Sequence, residues 1–264
     1  LAKAVPTYSQ SRKYFMSQRA DYIFLHGGGQ GSWVWGATIS ALEQQTGGNF
    51  GQVLTLDVPG CGSKRRRVTE KLQFDDIIDE LVLDIEGSGL EDIVLVGHSQ
   101  GGQGIAALAD HRPDLVRRLI YVSCSIPLPG QTLLEMMGHR VHRSNDKEVG
   151  WTAVPATTDP QALQEMMFCN DMTPTEKQAF LAELGADNWP MSSYSFTEWE
   201  FENLEKVPAT YVLCERDKII PVAWQERFAE RFLAERTVRI DAGHQVMISR
   251  PHALAEVLRI EAAS

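Results

Sequence analysis

A serine, an acid and a histidine, met in that order along the chain and each at the end of an apolar segment, are the residues whose types and spacing fit a reaction. Ser99 stands in Gly97-His98-Ser99-Gln100-Gly101, Asp217 in Cys214-Glu215-Arg216-Asp217, and His244 in Asp241-Ala242-Gly243-His244. A serine hydroxyl is a poor nucleophile at neutral pH, so it needs a base, and an imidazole base needs an acceptor that fixes its tautomer. Together the three would perform acyl transfer, with Ser99 attacking a carbonyl and His244 taking and returning the proton.

Taken alone, Gly-x-Ser-x-Gly is equally the pattern of a flexible polar turn. Here the apolar run Ile93 to Val96 precedes it and the helical pattern Gly104 to Ala109 follows, which is the strand, turn and helix that a nucleophile elbow requires. Gly97 and Gly101 then omit the Cβ atoms that such a sharp turn would bring into collision. For the acid, Glu215 and Asp241 compete with Asp217. Asp217 is favoured because Pro221 opens the next helix soon after, which leaves Asp217 in the loop beyond the strand. Asp241 is too close in sequence to reach round the imidazole of His244. Cys124-Ser125-Ile126, at the end of the preceding strand, carries no carboxylate. Of the seven histidines, His244 alone follows a terminal strand; without the upstream serine and acid it would read as an ordinary turn residue.

Acyl transfer also needs donors for the developing oxyanion. The glycine run Leu25-His26-Gly27-Gly28-Gly29-Gln30-Gly31 follows the first strand, and the backbone N–H of Gly28 would pair with that of Gln100. His26 reads as a brace for this loop. The run also mimics a dinucleotide fingerprint, but Ser32 occupies the place of its last glycine and Asp57 lies too far on for the ribose acid. No nicotinamide cofactor is expected. Nor is a metal, since no ligand spacing accompanies His139 and His142.

Apolar strand-like runs alternate with helical patterns: Tyr22 to Leu25 then Trp33 to Leu42, Val53 to Leu56 then Phe74 to Ile85, Ile93 to Val96 then Gln103 to Ala109. This rhythm predicts an α/β fold with a mostly parallel central sheet flanked by helices. It stops after Leu119 to Cys124 and resumes with Ala209 to Cys214, Pro221 to Phe232, Thr237 to Ile240 and His252 to Ile260. The expected organisation is an N-terminal arm (1–20), a core (21–126 and 208–264) and an inserted helical cap (127–207). Within the cap, Thr173-Pro174-Thr175-Glu176 opens a helix as a capping box. Met136, Met137, Trp151, Met166, Met167, Phe168, Trp189, Met191 and Trp199 would roof an apolar pocket. Phe168 and Trp189 are candidate substrate contacts, and Gln245 a neutral hydrogen-bond donor at the pocket floor.

The 264 residues carry a formal charge of −10, the wrong field for nucleic acid. The basic cluster Lys64-Arg65-Arg66-Arg67 reads as a solvated loop. At 43% hydrophobic the chain has no run long enough to span a membrane. Its four cysteines lack metal or disulfide spacing, and buried free thiols fit a reducing compartment, so a cytoplasmic location is expected.

The glycine run, the serine motif, Cys214 to Pro221 and Gly243-His244-Gln245-Val246-Met247 together resemble the α/β-hydrolase superfamily. More narrowly, over about residues 20–262, the chain resembles the plant methylesterase and hydroxynitrile lyase group and its bacterial esterase relatives. The resemblance implies acyl-enzyme hydrolysis of small esters without a cofactor. Ser99 would be the nucleophile, His244 base then acid, Asp217 its orienting partner, and Gly28 and Gln100 the oxyanion donors. In the lyases a lysine follows the catalytic histidine and helps hold cyanide; here that position is the uncharged Gln245, and the methylesterases tend to carry Met there. Alternatives on the same fold are a hydroxynitrile lyase, a lactonase, a cofactor-free dioxygenase and a small-ligand receptor.

Overall fold

The computed structural model describes residues 19–142 and 147–264; the expected arm lies outside these apart from Arg19 and Ala20. Six strands form one sheet: β1 (Asp21–Leu25), β2 (Val53–Leu56), β3 (Ile93–His98), β4 (Val116–Val122), β5 (Ala209–Cys214) and β6 (Arg236–Ile240). Their order is β2-β1-β3-β4-β5-β6 and every pairing is parallel. The inner strands β1, β3 and β5 are buried on both faces because helices cover both, while the edge strand β6 is largely exposed. Ile23 and Leu25 enter one core with Leu95 and Tyr121, while Tyr22 and Phe24 enter the other with Val94 and Val96, the period-two alternation of a pleated strand.

The helices are α1 (Gly36–Thr46), α2 (Phe74–Ser88), α3 (Gly101–His111), α4 (Leu133–Met137), α5 (Pro160–Phe168), α6 (Pro174–Glu183), α7 (Ser192–Ser195), α8 (Val222–Arg231), α9 (Val246–Ser249) and α10 (Pro251–Glu261). The α2 helix buries Phe74, Ile77, Ile78, Leu81 and Ile85 on one stripe, as its i, i+3, i+4 spacing predicts. Thr173 caps α6 through the expected box with Glu176; Gln73 and Asp76 form another at α2. Among the described residues no helix is long and apolar enough to cross a membrane.

Between β4 and β5 run α4 to α7. The basic cluster is a surface turn with Arg65, Arg66 and Arg67 exposed, as a solvated loop should be, and one of its members also ties the insertion to the core. Arg65 donates to both oxygens of Asp187 at 2.7 and 2.9 Å, a carboxylate whose side chain is fully buried, and Lys64 pairs with Glu80 at 3.0 Å. A basic run beside a helix rich in acids finds partners once the chain folds, and a buried carboxylate needs a guanidinium and hydrogen bonds to offset its desolvation. Chain order reverses at β1, with β2 on one side and β3 on the other, so the crevice beyond their C-terminal ends is a switch point where α/β sheets place ligands.

Candidate active site

At the end of β3 the chain turns directly into α3, and Ser99 sits at the apex with φ +52°. That left-handed conformation costs a non-glycine residue about 1–3 kcal/mol and is held by close packing. A Cβ on Gly97 would come within 2.9 Å of the Gly101 carbonyl oxygen, and one on Gly101 within 2.6 Å of that of His26. Both sequence glycines are therefore required by backbone approach. The Ser99 hydroxyl makes no hydrogen bond among the described residues and lines a cavity of about 130 Å³.

His244 lines the same cavity. Its Nδ1–H donates to Asp217 Oδ2 at 2.6 Å, which leaves Nε2 as the unprotonated nitrogen. Asp217 is itself saturated with donors: Oδ1 accepts the N–H groups of Ile219 (2.7 Å) and Ile220 (2.9 Å), and Oδ2 also accepts the Ser123 hydroxyl at 2.5 Å. Sequence reasoning missed Ser123, which directly follows β4 with φ +43° and is fully buried. The only local signal was the absence of a carboxylate at that strand end. The rival acids are engaged elsewhere, Glu215 with Arg239 at 3.7 Å and Asp241 with Arg216 at 2.7 Å.

Gly28 and Gln100 both line the cavity, and neither backbone N–H has an acceptor among the described residues. Two orphan donors beside a free hydroxyl are what an oxyanion would need. The loop carrying Gly28 is braced from below. His26 donates from Nδ1 to the Gly27 carbonyl (2.9 Å) and accepts at Nε2 from the Val58 N–H (3.2 Å), and burial pushes its pKa down, so it stays a neutral brace. Asp57, set aside as a ribose acid, accepts the Ser32 N–H at 2.7 Å and the Ser63 N–H at 2.8 Å. His98 donates from Nε2 to the His244 carbonyl at 2.9 Å; burial first, and then electrostatic coupling to the neighbouring His244, hold its pKa well below the usual imidazole range.

The apolar residues of the insertion divide. Met137, Trp151, Met167 and Phe168 line the cavity with Leu133, Ile219 and Ile220, and the Phe168 ring meets the His244 ring edge-on at 6.2 Å. Met136 and Trp199 are core residues and Met166 packs against that core, while Met191 is 71% exposed. Two candidate substrate contacts fall outside the lining. Trp189 is buried behind the glycine loop, where its Nε1–H donates to the Gly27 carbonyl at 3.1 Å and its ring packs on His26. Gln245 is fully buried with neither amide atom hydrogen-bonded. Spacing placed it beside His244, but its side chain is not part of the cavity lining. Conversely Gln30, 1% exposed with Oε1 unpartnered, does line the cavity. Larger surface depressions of about 790 and 600 Å³ have mixed polar and apolar walls and include none of Ser99, Asp217 and His244.

The sequence model of the α/β hydrolase family matches residues 22–257. Polyneuridine aldehyde esterase of Rauvolfia serpentina is 24% identical, with 91% of this chain and 95% of that protein covered. The putative chloroplastic methylesterase 11 of Arabidopsis thaliana is also 24% identical, over 90% of this chain but 62% of its own length. Among solved structures, an extracellular α/β-hydrolase from a Paenibacillus species, described as sharing structural and functional homology with tobacco salicylic acid binding protein 2, superposes with a TM-score of 0.71. It is 19% identical, with 92% of this chain and 98% of that one covered.

Proposed function

The chain belongs to the α/β hydrolase family, and we propose that it is a serine hydrolase that cleaves small carboxylic esters through an acyl-enzyme. The observation that carries this reading is the hydrogen bond of His244 to Asp217 at 2.6 Å, in the wall of a cavity that also holds the unbonded Ser99 hydroxyl. In this reading Ser99 Oγ attacks the ester carbonyl as His244 Nε2 takes its proton. The N–H groups of Gly28 and Gln100 receive the oxyanion. The imidazolium then protonates the departing alkoxide, and a water activated by His244 releases the acid and restores Ser99. The reaction as written uses no cofactor.

The esterase and methylesterase names of relatives support an ester substrate. The lining, which carries no Asp, Glu, Lys or Arg, favours acyl or alcohol groups that are apolar or aromatic over charged ones. Residues 127–207 would act as the cap and 21–126 with 208–264 as the hydrolase core. The reading is tested with p-nitrophenyl acetate and a fluorophosphonate. The wild type is expected to give a product burst and to be labelled at Ser99 alone, and Ser99→Ala to lose nearly all turnover while remaining folded. Wild-type turnover in Ser99→Ala would sink it. Cyanide release from cyanohydrins is expected to be absent, because no lysine follows His244.

A further inference from the structure

Two adjacent residues of the insertion reach past the cavity to the loops that carry the acid and the histidine. The α5 helix ends at Phe168 with Cys169 as its C-cap, and a tight turn closed by Met172 N–H on the Cys169 carbonyl at 3.2 Å presents Asn170 and Asp171 before Thr173 caps α6. The Asn170 side-chain amide donates to the Arg216 carbonyl at 2.9 Å, next to Asp217. Asp171 Oδ2 accepts the Gly243 N–H at 2.8 Å, next to His244, and the Ser249 hydroxyl at 2.8 Å.

The Asp171 side chain is fully buried, with guanidinium nitrogens of Arg216 and Arg250 each 3.9 Å away and Oδ1 unpartnered. Burying a carboxylate costs several kcal/mol unless bonds and charges offset it, and here its hydrogen bonds run only to the histidine loop and the short helix after it. Fit is close on that side: a Cβ on residue 243 would lie 2.4 Å from Asn170 Oδ1 and 2.6 Å from Asp171 Oδ1, so Gly243 lets the two segments touch. The peptide flanking His244 is thereby gripped at both ends, its N–H side by Asp171 and its carbonyl by His98 at 2.9 Å.

We infer that Asp171 is a positioning residue for the His244 imidazole, and Asn170 for the Asp217 loop, so that the insertion sets the geometry of the pair in addition to covering the cavity. The inference rests on the serine-hydrolase reading above. Misplacing a reacting group by about 1 Å can cost about 10²-fold in rate, whereas a segment that only covers substrate acts through KM.

The experiment compares Asp171→Ala, Asp171→Asn and Asn170→Ala with the wild type. It reads kcat and KM for p-nitrophenyl acetate, the second-order rate of fluorophosphonate labelling at Ser99, and the thermal midpoint. Asp171→Ala should lower kcat and labelling together by about 10- to 100-fold with KM nearly unchanged. Asp171→Asn, which keeps an acceptor oxygen for the Gly243 N–H, should recover most of the loss. Asn170→Ala alters an exposed residue and should stay folded; it should lower kcat by a smaller factor, also without raising KM, which keeps the test decisive if Asp171→Ala does not fold. Unchanged kcat and labelling in both alanine variants, or losses confined to KM or to the folded fraction, would overturn the inference. Ser99→Ala, run alongside, separates the two claims: if it stays active the hydrolase reading fails, and if it is silent while both alanine variants match the wild type, only the positioning role fails.

Discussion

Replacing Asp217 by asparagine should remove nearly all turnover and leave the fold intact. Oδ1 of Asp217 accepts two backbone N–H groups, at 2.7 and 2.9 Å, so the asparagine must place its oxygen there. Its NH₂ then occupies the Oδ2 position, facing Ser123 and His244, which now lie at 2.5 and 2.6 Å. The Ser123 hydroxyl can rotate and accept. The imidazole can accept only by giving up the proton on Nδ1, and the neutral ring then carries it on Nε2, meeting Ser99 as a donor where a base is needed. A wrong tautomer of this kind costs on the order of 10⁴-fold in kcat, about 5.4 kcal/mol at about 1.36 per decade. Losing the charge-assisted bond to Nδ1 should cost stability about 1.5–3 kcal/mol at most. The assay is kcat for p-nitrophenyl acetate with the thermal midpoint as control for folding. Glu215→Gln is the comparison: it removes a half-exposed carboxylate 3.7 Å from Arg239, a contact worth about 0–1 kcal/mol, and should change kcat by less than about twofold. If Asp217→Asn keeps more than about a tenth of wild-type turnover, or Glu215→Gln proves the more damaging, the assignment of the acid is refuted.

Gly101→Ala would put a methyl 2.6 Å from the His26 carbonyl oxygen and 2.8 Å from that of Leu25. Backbone has to move, so calorimetry should show a loss of about 1–3 kcal/mol and kinetics a fall in kcat; unchanged values for both would mean the elbow tolerates a side chain there. Phe168 lines the cavity and Trp189 braces the glycine loop from behind. Phe168→Ala should therefore reorder kcat/KM across an ester series and Trp189→Ala lower all members alike, and the opposite pattern would exchange their roles. His26 and His98 both have depressed folded pKa values, chiefly from burial. Below the unfolded value near 6.5 the unfolded chain takes up protons that the folded chain refuses, so stability present above that pH is lost as pH falls, by at most about 1.4 kcal/mol per unit for each histidine. Urea midpoints should therefore drop between pH 7.5 and 5.5, and less steeply in His98→Gln; equal slopes in the two proteins would contradict the burial argument.

Where chemistry is local, the sequence was legible. Strand limits at Val53–Leu56 and Ala209–Cys214 coincide with the observed elements, because both are apolar runs ended by turn residues. The Thr173 cap needs only its own neighbours. Ser99, Asp217 and His244 could be placed together because each follows a strand, and in a parallel sheet with this winding those ends converge on one edge. The insertion was less readable. Its Met and Trp content announced burial, but composition carries no direction, and so Phe168 reaches the cavity while Trp189 turns beneath the glycine loop.

What escaped the sequence are the contacts that cross it. Ser123 and Asp217 are 94 residues apart, Gly243 and Asp171 are 72 apart, and Arg65 and Asp187 are 122 apart. None of these residues has a neighbour pattern that names its partner; a lone serine at a strand end, an Asn-Asp pair in a turn and an arginine in a basic run each suit solvent equally well. In each case the fold buries a carboxylate, and burial is what obliges it to find donors. The bonds that fix Asp217 and grip the histidine loop are therefore consequences of tertiary packing. Substitutions at Ser123 or Asp171 should act through geometry transmitted to Asp217 and His244, although neither residue lines the cavity.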